Sequence, residues 1–176
     1  MAKKGDVQMR SEYLNFLRFS VTQSAAATFT QTELDTNLSA ERGVMMEIHS
    51  FEVDFGNNGF SLLREVAASG IEELLIQLTR DSKAAIVATN DSDFLAGVKK
   101  QITRSAAIGT DAGPLTVYDS QIYTVNFPLP LPYVKPSIFI GLNSTASSAA
   151  IITGRIGYTL REIEREDFLE LLVALQ

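Results

Sequence analysis

Cysteine and tryptophan are both missing from this chain of 176 residues, and histidine occurs once, as His49. The lack of cysteine excludes a disulfide framework, a thiol nucleophile and a zinc–thiolate site, and it agrees with a reducing compartment. A lone histidine also leaves too few imidazoles for a metal site that is built mainly from histidine ligands. Several common metal and thiol chemistries are therefore unavailable to the chain.

Long apolar runs and a positive net charge are absent as well. No window approaches the roughly 18 apolar residues of a membrane span. The opening sequence MAKKGDVQMR has no apolar run, so we expect no secretory signal. The net charge is −6 and the pI is about 4.8, so the overall field does not attract nucleic acid. The basic residues near this end, Lys3, Lys4 and Arg10, form either a solvated tail or a weak nucleic-acid contact.

Length and composition indicate one globular domain. Hydrophobic residues make up 45% of the chain and charged residues 20%, which is typical of a protein that buries a core. We expect a flexible arm over residues 1–10 and a single domain over residues 11–176. Its last part, residues 165–176, is expected to be a short helix or tail.

The stretch MMEIHSFEVDF, residues 45–55, carries the pattern around which the domain is organised. Met46 and Ile48 alternate with polar residues, and the alternation resumes on the opposite parity from Phe51. Because successive side chains of a strand face opposite sides of the sheet, this change predicts a bulge at His49–Ser50. A long, bulged strand of this kind predicts a place in the middle of an antiparallel sandwich.

Most of the remaining sequence has the pattern of short strands separated by turn residues. We predict an extended edge segment at residues 24–43 and further strands at residues 13–23, 73–79, 84–89, 102–108, 115–118, 121–127, 137–142 and 151–163. In the first of these strands the predicted buried side chains are Tyr13, Leu17, Phe19 and Val21. About eight strands at such spacing predict an all-β antiparallel sandwich or barrel.

Proline and helix signals interrupt this series. The PLPLP sequence, residues 128–132, lacks three backbone donors and predicts a crossover or a sheet edge. Residues 60–69 could form a short helix closed by glycine, and residues 71–80 are acceptable as a helix on propensity alone. Asn90 or Ser92 could cap a helix that runs to about Gln101.

The C-terminal tail changes to a helical period behind the acidic pair Glu166–Asp167. The apolar residues that recur at helical spacing are Phe168, Leu171, Leu172 and Leu175. A short terminal helix is therefore predicted, and it packs either on its own sandwich or on a neighbouring subunit.

No combination of residues in the sequence indicates a particular enzymatic reaction. A metal-dependent cupin or a Ser-His-Asp triad would have to use His49, but further histidines and a Gly-x-Ser-x-Gly elbow are missing. The NDSD sequence at residues 90–93 resembles the start of a calcium loop without its glycine and glutamate, so helix capping is preferred. There is no Walker A or Gly-x-Gly-x-x-Gly sequence. We expect neither enzymatic activity nor a cofactor.

Two segments resemble single-jelly-roll capsid proteins from viruses of prokaryotes. They are TFTQTELDTNLSAERGVMMEIHSFEVDF, residues 28–55, and GRIGYTLREIEREDFLELL, residues 154–172. The resemblance implies a single jelly roll that forms a closed, icosahedral shell by contact with copies of itself. It also implies a location in the virion after assembly in the host cytoplasm, and other virion proteins as possible partners. Because the N-terminus lacks a long basic arm, genome contact is expected to be weak or indirect.

Assembly would bury the sandwich edges and the apolar terminal helix, both of which are liabilities on a monomer. The predicted subunit interface consists of Pro128, Pro130, Pro132, Phe168, Leu171, Leu172 and Leu175. The alternative is a β-sandwich binding module of a virion appendage or surface structure that recognises a carbohydrate or a protein. An exposed aromatic cluster would favour this alternative, and the tyrosines available for it are Tyr118, Tyr123 and Tyr133.

Overall fold

In the part of the chain that the structure describes, eight strands form two antiparallel sheets of four. The computed structural model describes residues 13–39, 41–55, 70–104, 122–145 and 149–174. The strands are β1 (Asn15–Thr22), β2 (Thr30–Asp35), β3 (Val44–Asp54), β4 (Gly70–Thr79), β5 (Phe94–Arg104), β6 (Ile122–Tyr133), β7 (Ser137–Ser144) and β8 (Ile151–Glu162). A C-terminal helix, α1 (Arg165–Ala174), follows β8.

The order of the strands is that of a jelly roll. One sheet has the order β1-β8-β3-β6 and the other has the order β2-β7-β4-β5. The first and last strands are neighbours, and the chain crosses repeatedly between the sheets, as it does in a pair of nested Greek keys. The predicted all-β antiparallel sandwich with a single jelly roll and a short C-terminal helix is confirmed.

The core fills the space between the inner faces of the two sheets. Phe51 and Phe19 stack there with ring centroids 5.7 Å apart. Completely buried side chains come from both sheets, and they include Ile48, Phe51, Val53, Phe55, Leu78, Ile138, Ile140, Leu142, Ile152 and Ile156. Each large apolar side chain contributes roughly 1.5–3 kcal/mol through burial. The core is therefore the main source of stability.

The central strand β3 contains the predicted bulge. Ile48 pairs with Tyr158 of β8 and Ser50 pairs with Gly157, so His49 is an additional residue without a partner position. This insertion allows the side chains on both sides of it, those of Ile48 and Phe51, to point into the core. β3 has β8 on one side and β6 on the other, which confirms its central position.

The proline-rich sequence forms an irregular part of the edge strand β6. Asn126 pairs with Ser50 of β3, and Leu131 pairs with Ile48. Residues 127–130 therefore lie opposite the bulge without paired positions of their own, and we call them the proline excursion. Of the two alternatives for PLPLP, the sheet edge is confirmed.

A buried glutamine side chain, that of Gln23, connects chain segments at one end of the sandwich by hydrogen bonds. The Gln23 side chain is 3% exposed. Its Oε1 accepts hydrogen bonds from the Ser144 hydroxyl and the Ala150 N–H at 3.0 and 2.9 Å, and its Nε2 donates to the Thr28 carbonyl at 2.8 Å. One amide thus joins the end of β1 to chain segments near β2, β7 and β8.

Two predictions about the middle of the chain are wrong. The segment at residues 90–101, predicted as a helix, instead contains most of β5, whose alternate residues Ala96 and Val98 are buried against the core. Pairing with β4 outweighed the capping signal. Residues 84–89 form no strand but a loop, held by the buried Gln77 side chain, which donates to Ala85 O and accepts from Val87 N.

Most of the remaining strand predictions that fall on described residues are confirmed, whereas one prediction of burial is wrong. Residues 137–142 form a strand between β2 and β4, residues 73–79 belong to a strand, and β2 lies at a sheet edge. Tyr13, however, precedes β1 and is 81% exposed, so its predicted burial is wrong. Predictions for Lys3, Lys4, Arg10 and Leu175, and for residues 60–69, 105–108 and 115–118, lie outside the described residues.

Candidate assembly surfaces

One face of α1 packs on the outer side of the first sheet. Phe168 is 2% exposed and forms a small cluster with Met45 and Val134, separate from the main core. Leu171 and Leu172 pack against this cluster and are half-buried. Met46, the next residue of β3, lies in the main core, and successive side chains of a strand point to opposite sides of the sheet. Met45 and α1 therefore lie on the outer face of the sheet. The helix therefore packs on its own sandwich.

The opposite face of α1 is exposed and combines apolar with acidic side chains. Leu169 is 44% exposed and Val173 is 69% exposed. Glu166 and Glu170 are exposed beside them, at positions that share one side of a helix of 3.6 residues per turn. We call these four residues the α1 ridge. They leave an apolar strip, bordered by carboxylates, in contact with solvent.

A second apolar surface lies on the outer face of β1. Leu14 and Phe16 are 48% and 40% exposed, and Arg18 is exposed two residues further along the strand. We call these three residues the β1 patch. Gly157 of β8 lies under the patch: a Cβ placed there would be 3.5 Å from Phe16 and 3.7 Å from Leu14. The Arg155 guanidinium lies 4.3 Å from the centroid of the Phe16 ring, in the range of a cation–π contact.

Charged residues next to the patch line an open cavity of about 480 Å³. Arg155 forms a two-point contact with Glu52, because Nε and Nη2 each lie 2.8 Å from the same carboxylate oxygen. Arg18, Asp54 and Thr153 complete the polar part of the lining. Within the described chain no side chain pairs with Arg18, so its guanidinium is available to an anionic group.

The proline excursion exposes a third surface. Pro128 and Pro130 are exposed, and Leu129 between them is 77% exposed. Pro132 is also exposed, but it lies beyond the excursion and pairs with Glu47 of β3. Proline has no backbone N–H, so this part of the edge cannot extend a ladder with another strand. Contacts made here would depend on side-chain packing.

The lone histidine belongs to a polar cluster on the outer face at the bulge. His49 Nε2 lies 2.9 Å from the Thr159 hydroxyl, which is 3.4 Å from Glu47. Arg161 lies 3.4 Å from the other oxygen of the same carboxylate. The contacts of His49 and its neighbours are those of a cross-strand network, as expected for a histidine at a bulge.

The sequence that resembles a calcium loop holds a lysine instead. The Lys83 ammonium lies 2.6 Å from Asp93 and 3.3 Å from Asp91. The hydrogen bond with Asp93 raises the pKa of Lys83, and the backbone N–H of Asp93 lowers the pKa of Asp91. Among the described residues no group of three or more His, Asp or Glu side chains could hold a metal ion. The described helix is also too short and too polar to cross a membrane.

The segment that follows the predicted proline contact packs against the helix that carries the other predicted contacts. Val134 follows Pro132 by two residues and packs against Phe168 of α1. Phe168 itself is buried within its own chain, whereas the prolines are exposed. Leu169 and Val173 were missed by sequence reasoning, although their spacing of four residues is a helical signal.

No protein-family model matches the chain, and no curated protein shows significant sequence similarity to it.

Proposed function

We propose that the chain is a structural virion protein, a capsid subunit that assembles into a closed shell through copies of itself. The observation that carries the proposal is a jelly roll with separate exposed apolar surfaces on a helix, a strand and a sheet edge. Jelly rolls occur in viral capsids, lectins and cupins. Exposed apolar surfaces of this kind are typical of interfaces that are covered in an assembly.

The residue content distinguishes between the uses of this fold. The chain has one histidine, whereas a metal-dependent cupin needs several. A shell subunit needs no reactive group, but it needs more than one contact surface per copy. The α1 ridge, the β1 patch and the proline excursion meet that need. The expected site of assembly is the host cytoplasm and the final location is the virion.

A binding module is the second candidate, because the cavity beside the β1 patch combines apolar and charged lining groups. Such a mixture is common in ligand sites. The module would recognise a carbohydrate or protein ligand as part of a virion appendage or surface structure. Phe16 and the two arginines of the cavity would be the groups in contact with that ligand.

Assembly state separates the two candidates. The purified protein is examined at low and moderate salt by light scattering for mass and by negative-stain electron microscopy for shape. Closed particles, pentamers or hexamers support the shell subunit. A monomer or trimer that persists at high concentration contradicts it, and a glycan screen then tests the binding module.

A matched pair of variants tests the proline excursion as a contact. Leu129→Asp places a charge on a side chain that is 77% exposed, whereas Thr124→Asp places the same charge at another exposed position of β6. If the excursion lies in an interface, Leu129→Asp raises the protein concentration needed for assembly and Thr124→Asp does not. Equal behaviour of the two variants removes the excursion from the interface.

A further inference from the structure

We propose that the α1 ridge of one copy docks on the β1 patch of a second copy of this chain. The inference rests on the proposed function, and it specifies which surfaces of two subunits meet. Both surfaces have exposed apolar side chains at their centre, Leu169 and Val173 on one and Leu14 and Phe16 on the other.

The charges on the two surfaces are complementary. Glu166 and Glu170 border the apolar strip of the ridge, and no described residue forms a salt bridge with either. The β1 patch has the exposed Arg18 at its end, and no described side chain pairs with its guanidinium. Arg155, which lies over the aromatic ring of the patch, is already paired with Glu52, so Arg18 is the cation left to meet an acidic partner. An acidic apolar helix against a cationic apolar strand is a favourable combination, and like-charged alternatives would be rejected.

The spacing of the side chains also agrees. From Val173 to Glu166 the helix rises about 10.5 Å, at 1.5 Å per residue. From Leu14 to Arg18 the strand extends about 13 Å, at roughly 3.3 Å per residue. When Val173 is placed on Leu14, the apolar groups coincide, and the flexible Glu166 and Arg18 side chains span the remaining difference.

The partner must be another molecule. Within one chain, α1 is fixed to the outer face of the first sheet by Phe168, so its ridge points away from that sheet. The β1 patch lies on the same outer face, at the opposite edge from β6. Two surfaces that point outward from the same side of a sheet cannot cover each other, but they can cover those of a neighbour.

Charge exchange between the two surfaces tests the contact. The variants are Glu166→Arg, Arg18→Glu and the double variant that combines them. Asp167→Arg is the matched control, because it makes the same charge change in the same helical turn, about 100° away from the ridge. Asp167→Arg with Arg18→Glu completes the set. All of these side chains are exposed, and far-UV circular dichroism checks that each variant is folded.

The measurement is the protein concentration for half-assembly, by light scattering at low salt. We expect an increase of about tenfold for Glu166→Arg and for Arg18→Glu, and near wild-type assembly for the double variant, as charge complementarity requires. The control combination is expected to assemble no better than Arg18→Glu alone. If wild-type protein assembles and Glu166→Arg behaves like Asp167→Arg, the contact is wrong while the shell function stands. If wild-type protein never assembles, both proposals are wrong.

Discussion

Deletion of His49 is predicted to leave the fold intact, although it removes a residue from the middle of the central strand β3. Without His49, Ile48 is followed directly by Ser50 and Phe51, and these residues already pair with consecutive positions of β8. The shortened strand has regular alternation, with Ile48 and Phe51 still facing the core. The expected cost is the hydrogen bond between His49 and Thr159, about 0.5–1.5 kcal/mol.

Deletion of Glu52 from the same strand is the matched control. It removes a residue whose position is paired on both sides, so every following side chain changes face. Val53 and Phe55, both 0% exposed, would leave the core. At roughly 1.5–3 kcal/mol for each side chain the loss is about 3–6 kcal/mol. Since a domain of this size is stable by about 5–15 kcal/mol, this deletion is expected to unfold much of the protein.

Urea unfolding followed by far-UV circular dichroism measures both effects by linear extrapolation. The protein concentration is kept below that of assembly, because association stabilises the folded state by mass action. A small loss for the His49 deletion and a large loss for the Glu52 deletion agree with the bulge. Equal losses would refute the reasoning, because they would show that His49 is needed to keep the register of β3.

Three further predictions concern single side chains. Gly154→Ala is expected to lower stability by about 1–3 kcal/mol in thermal unfolding, because the added methyl would overlap the carbonyl oxygen of Glu52; an unchanged melting temperature contradicts this. Gln23→Leu removes three hydrogen bonds and should cost about 2–4 kcal/mol, whereas Gln101→Leu at an exposed position should be nearly neutral. Burial raises the pKa of Tyr133, so stability is retained below pH about 10 and falls as the pH rises above it. Tyr133→Phe should flatten this alkaline decline in urea titrations, and an unchanged slope would contradict the assignment.

Strand alternation allowed the fold to be predicted wherever one face of a strand is buried. The bulge at His49–Ser50 was predictable because buried residues on both sides of it differ in parity. In β5 the local signals conflicted: the possible helix cap at Asn90 or Ser92 favoured a helix, and only pairing with β4 identifies Ala96 and Val98 as core residues. Such long-range pairing is not visible in a local window.

The assembly surfaces were only partly predictable. Exposure of Pro128 and its neighbours follows from their missing N–H groups, which confine proline to sheet edges. The role of Phe168 was harder to predict, because helical spacing identifies an apolar face without indicating whether it covers the same chain or another. The pattern of β1 identified the inner face with Phe19 and Val21 correctly. It did not show whether the apolar side chains on the other face, Leu14 and Phe16, are covered or exposed.

The proline excursion has a practical consequence for engineering. Asn126 pairs with Ser50 of β3 and Leu131 pairs with Ile48, while the residues between Asn126 and Leu131 have no partners in β3. Strand pairing therefore does not determine the length of the excursion. Residues can therefore be added beside Leu129 without shifting the register of β6. Since that side chain is 77% exposed, a short foreign peptide inserted there would be displayed to solvent while the sandwich around it kept its alignment.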